Sequence, residues 1–514
     1  MAPIRPLYGL RTKPFSSGVL VTSHVENVAN VENGAGLRRG AIGLREVLFQ
    51  SITAMAPGAA IAASIPSGAA FAGGALPLAV IVALVACLFT ALSVAELAKH
   101  LPAAGSVATY SSRGLHPTVG FLVAWGYLFV ESLVPTLLLL QLGFTVASTF
   151  DGYPQSLWWP WALLGAVIVA VAGFWGARVS ATLGTILGAF EILVFVVLAV
   201  LLIVKAGGSN TLSVFTSSHT PAAHLGFAGV IAGSVYTVLA FAGFEAAAPL
   251  AEEARNPRKT VRRAVVGATL GIGAVYIFTT YAASVFVGPD KFNGFGATGA
   301  LSWEGIARAS FGIFWIFVFL AIVNSTIANA NAGANVSTRT AFALARVGVL
   351  PRSLARVHPV HRSPVVAVAI QFAIAVVVTL ALGFAFTPTT AFVLVATIIV
   401  VVVVSVYVIV NAACIGFFMR HRRDEFNWFL HLVSPILGIV VFVPALLTSA
   451  GIPVFSFVAR LTPPVSYAGL IVGIWMVLGI AYLVYLWGRH RQRVVDTGLV
   501  HLDDEPEPEA VAAP

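Results

Sequence analysis

Long apolar stretches separated by short polar segments occupy most of the chain, from about residue 46 to residue 487. Each stretch is about 20 residues long or longer, and a helix of that length crosses the ~30 Å hydrocarbon core of a bilayer. The pattern therefore predicts about twelve transmembrane helices, numbered here as spans 1 to 12. Several exceed the minimum length, which indicates tilt or extension beyond the hydrocarbon. The predicted bounds are 46–71, 76–101, 119–148, 158–176, 181–205, 227–252, 264–287, 305–343, 365–386, 390–419, 429–449 and 465–487.

The composition indicates a membrane protein with many spans. Hydrophobic residues make up 59% of the chain and charged residues 10%, whereas soluble proteins contain about 25% charged residues. The two cysteines, Cys87 and Cys414, lie within apolar spans, which argues against a disulfide framework or a zinc site. We therefore predict an all-α integral membrane protein with no metal and no cofactor. Residues 1–36 lack the apolar core of a signal peptide and are expected to form a mobile tail.

Lysine and arginine lie mainly on one side of the predicted membrane, the side of the N-terminus. The opposite side carries only Lys205, Lys291, Arg308 and Arg460. Because positive residues concentrate in cytoplasmic loops, both termini are predicted to be cytoplasmic in a cell membrane protein, which agrees with an even number of spans. The net charge of +9 then reflects topology and contact with anionic lipid headgroups, and nucleic acid is not an expected partner.

Spans 1 and 6 are both interrupted by helix-breaking residues. Span 1 contains Pro57 and Gly58 near its middle, and span 6 contains Gly243 and Pro249 on either side of Glu245. Proline removes a backbone donor, and a carboxylate at membrane depth normally faces protein or a water-filled cavity. Interruptions at matching places in two halves point to the substrate site of a transporter. Two independent proline kinks, which are common in membrane helices, are the alternative.

The positions of the two interruptions indicate an internal repeat of five spans. Spans 1 and 6 correspond in such a repeat, and because five is an odd number the two copies must insert in opposite orientations. Spans 11 and 12 are then additions. The predicted organisation is a disordered cytoplasmic tail at 1–37, a first repeat at 38–205, a second repeat at 206–419, spans 11 and 12 at 420–488 and a disordered cytoplasmic tail at 489–514.

An interrupted helix exposes backbone groups that can bind a zwitterion. The amides after Gly58 would attract a substrate carboxylate, and the carbonyls near Ala56 and Phe241 would accept hydrogen bonds from an ammonium. The surrounding alanines indicate an apolar pocket, but Glu245 could also bind a second ammonium, so a basic amino acid or a diamine stays open. The predicted substrate-binding residues are Ala56, Pro57, Gly58, Ala59, Ala60, Phe241, Ala242, Gly243, Phe244 and Glu245.

Several segments closely resemble the amino acid–polyamine–organocation (APC) superfamily of permeases. They are Phe241-Ala-Gly-Phe-Glu245 followed by Ala251-Glu-Glu-Ala-Arg-Asn-Pro-Arg-Lys-Thr260, Ala95-Glu-Leu-Ala with Leu101-Pro-Ala-Ala-Gly105 and Tyr110, and the run from Arg339 to Pro351. The resemblance extends from about Leu37 to Arg489. It implies a bacterial amino acid permease with the five-plus-five inverted-repeat, leucine-transporter-type fold. Such a protein imports or exchanges amino acids or related amines by alternating access around spans 1 and 6.

The chain departs from the family pattern at two places. Many relatives carry Gly-x-Gly at the first interruption, where this chain has Gly58-Ala59-Ala60 after Pro57. Some proton-coupled relatives carry a lysine in span 5, where this chain has Glu191 and no interior lysine. The mode of ion coupling therefore cannot be transferred from the resemblance.

Three carboxylates within the spans are candidates for ion coupling. Glu191 shares a helix face with Gly184 and Gly188, and because small residues mark close helix contacts the glutamate should point inward. It is interpreted as a proton carrier, with a structural pair inside the bundle as the alternative. Glu131 precedes a proline by four residues, which suits either a cavity wall or a packing kink. Glu245 is the third candidate.

Span 8 is rich in asparagine. Asn324, Asn331 and Asn335 fall on one face at helical spacing. A polar stripe within lipid must face protein, so these residues either line the transport pathway or hold helices together by hydrogen bonds. Their oxygens could also contribute to a sodium site.

Together these features predict a secondary active transporter that moves amino acids across the cytoplasmic membrane by alternating access. Proton symport is the expected mode, with sodium as the alternative coupling ion. An amine or polyamine permease, or an amino acid exchanger of the same fold, is the alternative function. A membrane-embedded enzyme is a remote alternative, since the histidines lie in tails, loops and span ends and no HExxH, GxSxG or phosphate-loop motif is present. No catalytic residue is predicted, and the sequence makes no prediction of oligomeric state.

Overall fold

The structure, a computed structural model, describes residues 42–103, 105–175, 177–251, 254–358, 361, 363–452, 454 and 461–498. All of them belong to one compact unit, Arg39–Pro514. Over the described residues the chain is helical, and its one β contact is an isolated parallel bridge between Ile42 and Ala254. The predicted N-terminal tail at 1–37 and the last part of the C-terminal tail, from 499, lie outside the described residues.

Twelve helical segments of the described chain are long and apolar enough to cross a membrane, which confirms the predicted all-α fold with twelve spans. The spans are Leu44–Ser67, Ala69–His100, Pro117–Thr149, Gln155–Trp175, Ile186–Ser209, Phe227–Leu250, Pro257–Val287, Trp303–Arg346, Val365–Phe386, Pro388–His421, Phe429–Ser449 and Val465–Arg489.

The predicted C-terminal tail begins with a short helix, Arg491–Asp496, rather than with the expected disorder. Val494 in this helix is fully buried.

Span 7 begins earlier than its hydropathy predicts. The predicted start is residue 264, but the helix runs over Pro257–Val287. Asn256 has a left-handed backbone (φ +50°), and the following proline takes the first helical position, where a missing N–H is harmless. The Asn-Pro pair therefore starts this helix, and its first turns carry four basic residues: Arg258, Lys259, Arg262 and Arg263.

The contacts between spans follow the pattern of a five-span repeat. Spans 1, 2 and 3 contact spans 6, 7 and 8, respectively. In a five-span repeat, span 1 is equivalent to span 6, span 2 to span 7, and so on, so each contact should have an equivalent in the other repeat. The contact of span 2 with span 6 is equivalent to that of span 7 with span 1, and the contact of span 3 with span 10 to that of span 8 with span 5. All four contacts are present. The residue boundaries of the two repeats, at 205 and 419, stay a prediction.

Spans 1 and 10 form the interior of the bundle. In each of them 78% of the most apolar 18-residue window is buried, against 22% in spans 9 and 12, which therefore lie at its edge. Apolar composition alone does not distinguish the two positions, because lipid is as apolar as the protein interior.

Both predicted interruptions are present in the structure. In span 1 the first helix ends at Met55, and Ala56 has a left-handed backbone (φ +47°, ψ +66°) before the chain re-enters a helix at Pro57. In span 6 the first helix ends at Phe241, and Gly243 has a φ of +111° before a 3-10 helix begins. Each span therefore consists of two half-helices joined by one or two non-helical residues.

Replacing Gly243 with alanine should destabilise the protein. A Cβ there would lie 2.7 Å from the backbone carbon and oxygen of Ala54, and a φ of +111° is rarely adopted by a residue with a side chain. Backbone strain and overpacking each cost about 1–3 kcal/mol, so Gly243→Ala in detergent should unfold at a lower temperature than the wild type. Gly271→Ala is the matched control, since a Cβ at that helical position meets nothing within 4 Å. Equal unfolding temperatures for the two variants would contradict the tight contact.

Candidate functional site

The interruption of span 6 packs directly against the first half of span 1. On the side where Gly243 would carry a Cβ, the nearest atoms belong to the backbone and Cβ of Ala54. Ser51 links the same two elements, because its hydroxyl donates to the carbonyl of Phe244 (2.7 Å) and accepts from the amide of Ala247 (3.1 Å). The first half of span 1 and the second half of span 6 are therefore joined by hydrogen bonds as well as by packing.

The carbonyls released at the ends of the two first half-helices are bound by one side chain of span 7. The hydroxyl of Tyr276 lies 2.9 Å from the carbonyl oxygen of Met55 and 3.0 Å from that of Ala240, and it donates toward both. A tyrosine hydroxyl has a single proton, so the two carbonyls share it. Tyr276 is fully buried, and it ties together the points at which both helices stop.

Two further side chains bind carbonyls just after the interruption of span 1. Nε2 of Gln141 donates to the carbonyl of Ala59 at 3.0 Å, and Nε1 of Trp303 donates to that of Ile61 at 2.7 Å. The helix widens to a π-helix over Ala60–Ser64, which changes the usual partners of these carbonyls. Unsatisfied backbone groups are costly at membrane depth, and these amide and indole donors remove that cost.

A carboxylate lies at the N-terminus of each second half-helix. In span 1 the amide of Gly58 donates to Oε2 of Glu191, from span 5, at 3.2 Å. In span 6 the amide of Gly243 donates to Oε2 of Glu245 at 3.1 Å, and the same oxygen accepts the hydroxyl of Tyr407, from span 10, at 2.8 Å. Both glutamates are 1% exposed. Since the positive end of a helix stabilises negative charge, Glu191 occupies the position at Gly58 where a substrate carboxylate was expected.

A cavity of about 60 Å³ lies between spans 1, 3, 6, 8 and 10, at the two interruptions. A buried water needs about 10–15 Å³, so the cavity has room for several waters or for the polar groups of a small ligand. Its polar side chains are Glu131, Glu245, Gln141, Asn329 and Ser64. The predicted site residues that line it are Ala56, Ala59, Ala60, Ala242, Gly243, Glu245 and the coupling candidate Glu131.

Phe241 and Phe244 pack behind the cavity wall. The ring of Phe241 is nearly perpendicular to that of Tyr276, with centroids 5.3 Å apart. The ring of Phe244 lies 5.0 Å from that of Tyr407. Both phenylalanines are fully buried, so in this conformation they support the two tyrosines that bind the interruptions.

Glu191 lies behind span 1, outside the cavity wall, as do Pro57 and Gly58. On the side where Gly58 would carry a Cβ, the nearest atoms are a carboxylate oxygen of Glu191, the carbonyl oxygen of Ala321 and the Cβ of Ser325, at 2.8–3.0 Å. The missing side chain of Gly58 therefore allows spans 5 and 8 to approach the interruption closely. Oε1 of Glu191 has no hydrogen-bond partner among the described residues.

The asparagines of span 8 lie in different environments. Asn329 lines the cavity, whereas Nδ2 of Asn324 donates to the carbonyl of Leu187 in span 5 at 3.1 Å. Asn331 and Asn335 are half-buried and lie outside the cavity wall. Asn329 is five residues beyond Asn324, or about 140° around the helix, so the spacing that defined the predicted polar face excludes it.

Sequence reasoning missed most of the side chains that bind the interruptions or line the cavity beside them. Gln141 and Asn329 carried a usable signal, because polar residues within apolar spans usually face the bundle interior. The tyrosines carried none, since tyrosine is common in membrane helices for other reasons. The missed residues are Ser51, Ser64, Gln141, Tyr276, Trp303, Asn329 and Tyr407.

The fold and this site define a class: helical membrane proteins in which two interrupted spans border a polar cavity, as in secondary transporters. Among the described residues no three His, Cys, Asp or Glu side chains are grouped to bind a metal ion. The sequence profile of a family described as amino acid permease matches residues 42–478. The chain therefore belongs to the amino acid permease family.

Individual relatives carry different substrate names. The chain is 28% identical to the branched-chain amino acid permease BcaP of Bacillus subtilis (strain 168), over 59% of this chain and 66% of that protein. It is 27% identical to the low-affinity putrescine importer PlaP of Escherichia coli (strain K12), over 58% of this chain and 65% of that protein. It is also 27% identical to cationic amino acid transporter 4 of Mus musculus, over 58% and 48% of the two chains. The chain thus spans just under two thirds of the first two relatives.

Removing the hydroxyl of Tyr276 should destabilise the two interruptions. Tyr276→Phe leaves the carbonyls of Met55 and Ala240 without this donor, and an unsatisfied buried polar group costs ~1–3 kcal/mol. The variant should therefore unfold at a lower temperature in detergent. Tyr281→Phe is the matched control, because its hydroxyl makes a long hydrogen bond of 3.5 Å to Asn210. A Tyr276 variant as stable as the control would exclude this role for the hydroxyl.

Proposed function

We propose that the protein is a secondary active transporter that moves amino acids across the cytoplasmic membrane by alternating access. The observation that carries the proposal is the contact of two interrupted spans beside a polar cavity that contains Glu245. A carboxylate at this depth attracts a substrate ammonium, and interrupted spans are the sites where transporters of this architecture bind their substrates. Membership in the amino acid permease family supports the same function.

The contacts between spans support a movement of two groups of helices against each other. Spans 1, 2, 6 and 7 contact one another, and so do spans 3, 4, 8 and 9. The cavity has walls from both groups. Hinge motions are absorbed by a few residues with unusual dihedrals, and Ala56 and Gly243 are suited to that role. Because Ser51 and Tyr276 join spans 1, 6 and 7, we expect the first group to move as a unit.

Amine transport by the same fold is the alternative. The relatives are named for branched-chain amino acids, for putrescine and for cationic amino acids, so membership in the family is compatible with either class of substrate. Exchange of one amino acid for another is an alternative to symport, since both use the same two-sided cavity. Catalysis is not proposed, because the relatives are transporters.

A proton carried by Glu191 is the proposed coupling ion. Its carboxylate binds the amide of Gly58 at the interruption of span 1, so protonation would weaken the hold of span 5 on that half-helix. Sodium is the alternative, since hard cations prefer oxygen ligands. The carbonyl of Ala321 and the side chain of Ser325 also lie beside Gly58.

The proposed location is the cell membrane, with both termini in the cytoplasm. The charge distribution supports this orientation, because the first turns of span 7 and the helix after span 12 are rich in arginine. These residues would contact anionic lipid headgroups. The two proposed repeats, at 38–205 and 206–419, would then have opposite orientations in the bilayer.

Uptake by the purified protein in liposomes tests the proposal. Labelled amino acids should accumulate above the level of protein-free liposomes, and an inside-alkaline pH gradient should increase the accumulation. A sodium gradient imposed without a pH gradient separates the two coupling ions, and preloading with unlabelled amino acid reveals exchange. Absence of uptake of every amino acid and amine by correctly folded protein would reject the transport function.

Glu191→Gln should uncouple uptake from the pH gradient. Glutamine keeps an oxygen that can accept from the amide of Gly58, but it cannot release a proton. Uptake should then lose its increase in a pH gradient, while exchange against preloaded substrate continues. Glu304→Gln is the matched control, because Glu304 lies outside the cavity wall and accepts a hydrogen bond from Thr149. If Glu191→Gln retains its dependence on the pH gradient, another group carries the proton.

A further inference from the structure

We infer that the substrate carries a net positive charge and that Glu131 binds its second cationic group. The inference rests on the proposed transport function and narrows its substrate class to aliphatic molecules with two ammonium groups. Diamines and basic amino acids share this chemistry, and the carboxylate that distinguishes them is treated as a separate question below.

The charge of the cavity wall is the first observation. Its described lining includes two carboxylates, Glu131 and Glu245, and no lysine, arginine or histidine. The other polar side chains, Gln141, Asn329 and Ser64, are neutral. Two carboxylates repel each other strongly where little water separates them. A cation bound between them removes that repulsion, so a positively charged ligand is complementary to this wall.

The protein supplies different partners to the two carboxylates. Glu245 accepts hydrogen bonds from the amide of Gly243 and the hydroxyl of Tyr407, and it lies at the positive end of a half-helix. Glu131 is half-buried in the middle of span 3, and no ion pair among the described residues involves it. Neither carboxylate has a counter-charge among the described residues, and Glu131 also lacks the backbone amide and helix end that stabilise Glu245, so a ligand ammonium is the counter-charge available to it.

Asn329 points to a ligand independently of the carboxylates. Its side chain lines the same cavity and is 9% exposed. Within the described part of the chain, no hydrogen bond to this amide is formed. The amide forms part of the cavity surface, and the group can both donate and accept. A ligand that reaches Asn329 satisfies it, either with an ammonium on its oxygen or with a carboxylate on its nitrogen.

The cavity offers few donors for a ligand carboxylate. The amides of Gly58 and Gly243 are each bound to a glutamate of the protein, and Nε2 of Gln141 donates to a backbone carbonyl. Besides the second N–H of Gln141 and the hydroxyl of Ser64, the side-chain donor left in the described wall is the amide of Asn329, which forms no hydrogen bond there. A basic amino acid would place its carboxylate there, whereas a diamine would use the oxygen of the same side chain.

The remaining wall fits an aliphatic chain between two charged ends. Branched aliphatic side chains from spans 3 and 10 lie beside Glu131 and the two interruptions. Methylene groups gain by leaving water for such a surface, so the spacing between the two ammonium groups would be recognised by apolar contact. The side chains are Val130, Val134, Leu137, Leu138, Ile399 and Val403.

Uptake of three labelled probes by the wild-type protein in liposomes at pH 7 tests the inference: leucine, ornithine and putrescine. Ornithine carries a net charge of one and putrescine a charge of two, whereas leucine is neutral. We expect kcat/KM for ornithine or putrescine to exceed that for leucine by about ten-fold or more, the effect of one charge-assisted hydrogen bond. The ratio of ornithine to putrescine shows whether the substrate carries a carboxylate.

Glu131→Gln should abolish this selectivity. The substitution keeps the size of the side chain and removes its charge. We expect kcat/KM for the preferred cationic probe to fall by about ten-fold or more, while that for leucine is unchanged or higher. Glu131→Asp should keep most of the preference for the cation. Glu304→Gln, which changes a half-buried carboxylate outside the cavity wall, should leave the ratio of the probes as in the wild type.

Four other outcomes would each overturn the inference, and the last of them would overturn the proposed transport function as well. Preference for leucine over both cations overturns the inference and leaves the proposed transport function in place. An equal loss for all probes in Glu131→Gln overturns it as well, because the residue is then structural. Unchanged selectivity with a lost response to the pH gradient overturns it too, since Glu131 is then a proton carrier. Uptake of no amino acid or amine by folded protein overturns both the inference and the proposed function.

Discussion

A membrane interior provides no water to hydrogen-bond a freed backbone group, and the arrangement of this protein depends on that constraint. The interruptions of spans 1 and 6 release carbonyls and amides at membrane depth. Tyr276 of span 7 binds the released carbonyls, and Glu191 of span 5 binds the amide of Gly58. Tyr407 of span 10 holds the carboxylate of Glu245. Because lipid gives helices no hydrophobic reason to associate, these directional bonds contribute to deciding which spans surround the interruptions.

Small residues make those bonds geometrically possible. Gly58 has no side chain to keep spans 5 and 8 away, and Gly243 has none to keep span 1 away. The alanines of span 1 leave open space on its other face, where the cavity lies. One helix can therefore pack tightly on one side and border a cavity on the other, which is the combination that a moving substrate site requires.

Membership in the amino acid permease family leaves the substrate to be decided by the cavity wall. Free backbone groups at an interruption would recognise only the ammonium and carboxylate groups that amino acids of every kind share, and the amides of Gly58 and Gly243 are bound to glutamates of the protein. Side chains of the cavity wall, such as Glu131 and Asn329, would distinguish one substrate class from another in the transport function proposed above. They lie on spans 3 and 8, in the helix group that borders spans 1 and 6 across the cavity, so the proposed recognition and the proposed movement would involve the same cavity.

Hydropathy, proline and glycine act within a few residues of their own position, and they were enough to predict twelve spans, both interruptions and Glu245 beside the cavity. The side chains that form hydrogen bonds at the interruptions could not be predicted in this way. The bond between Gly58 and Glu191 joins residues 133 positions apart, and that between Glu245 and Tyr407 joins residues 162 apart. Helical spacing put Asn324 on a face that would either line the pathway or hold helices together, and in the packed bundle Asn324 binds span 5 while Asn329 lines the cavity. Lipid and protein interior are equally apolar, so only the packed bundle decides which face of a span meets its neighbours and which polar side chains meet each other.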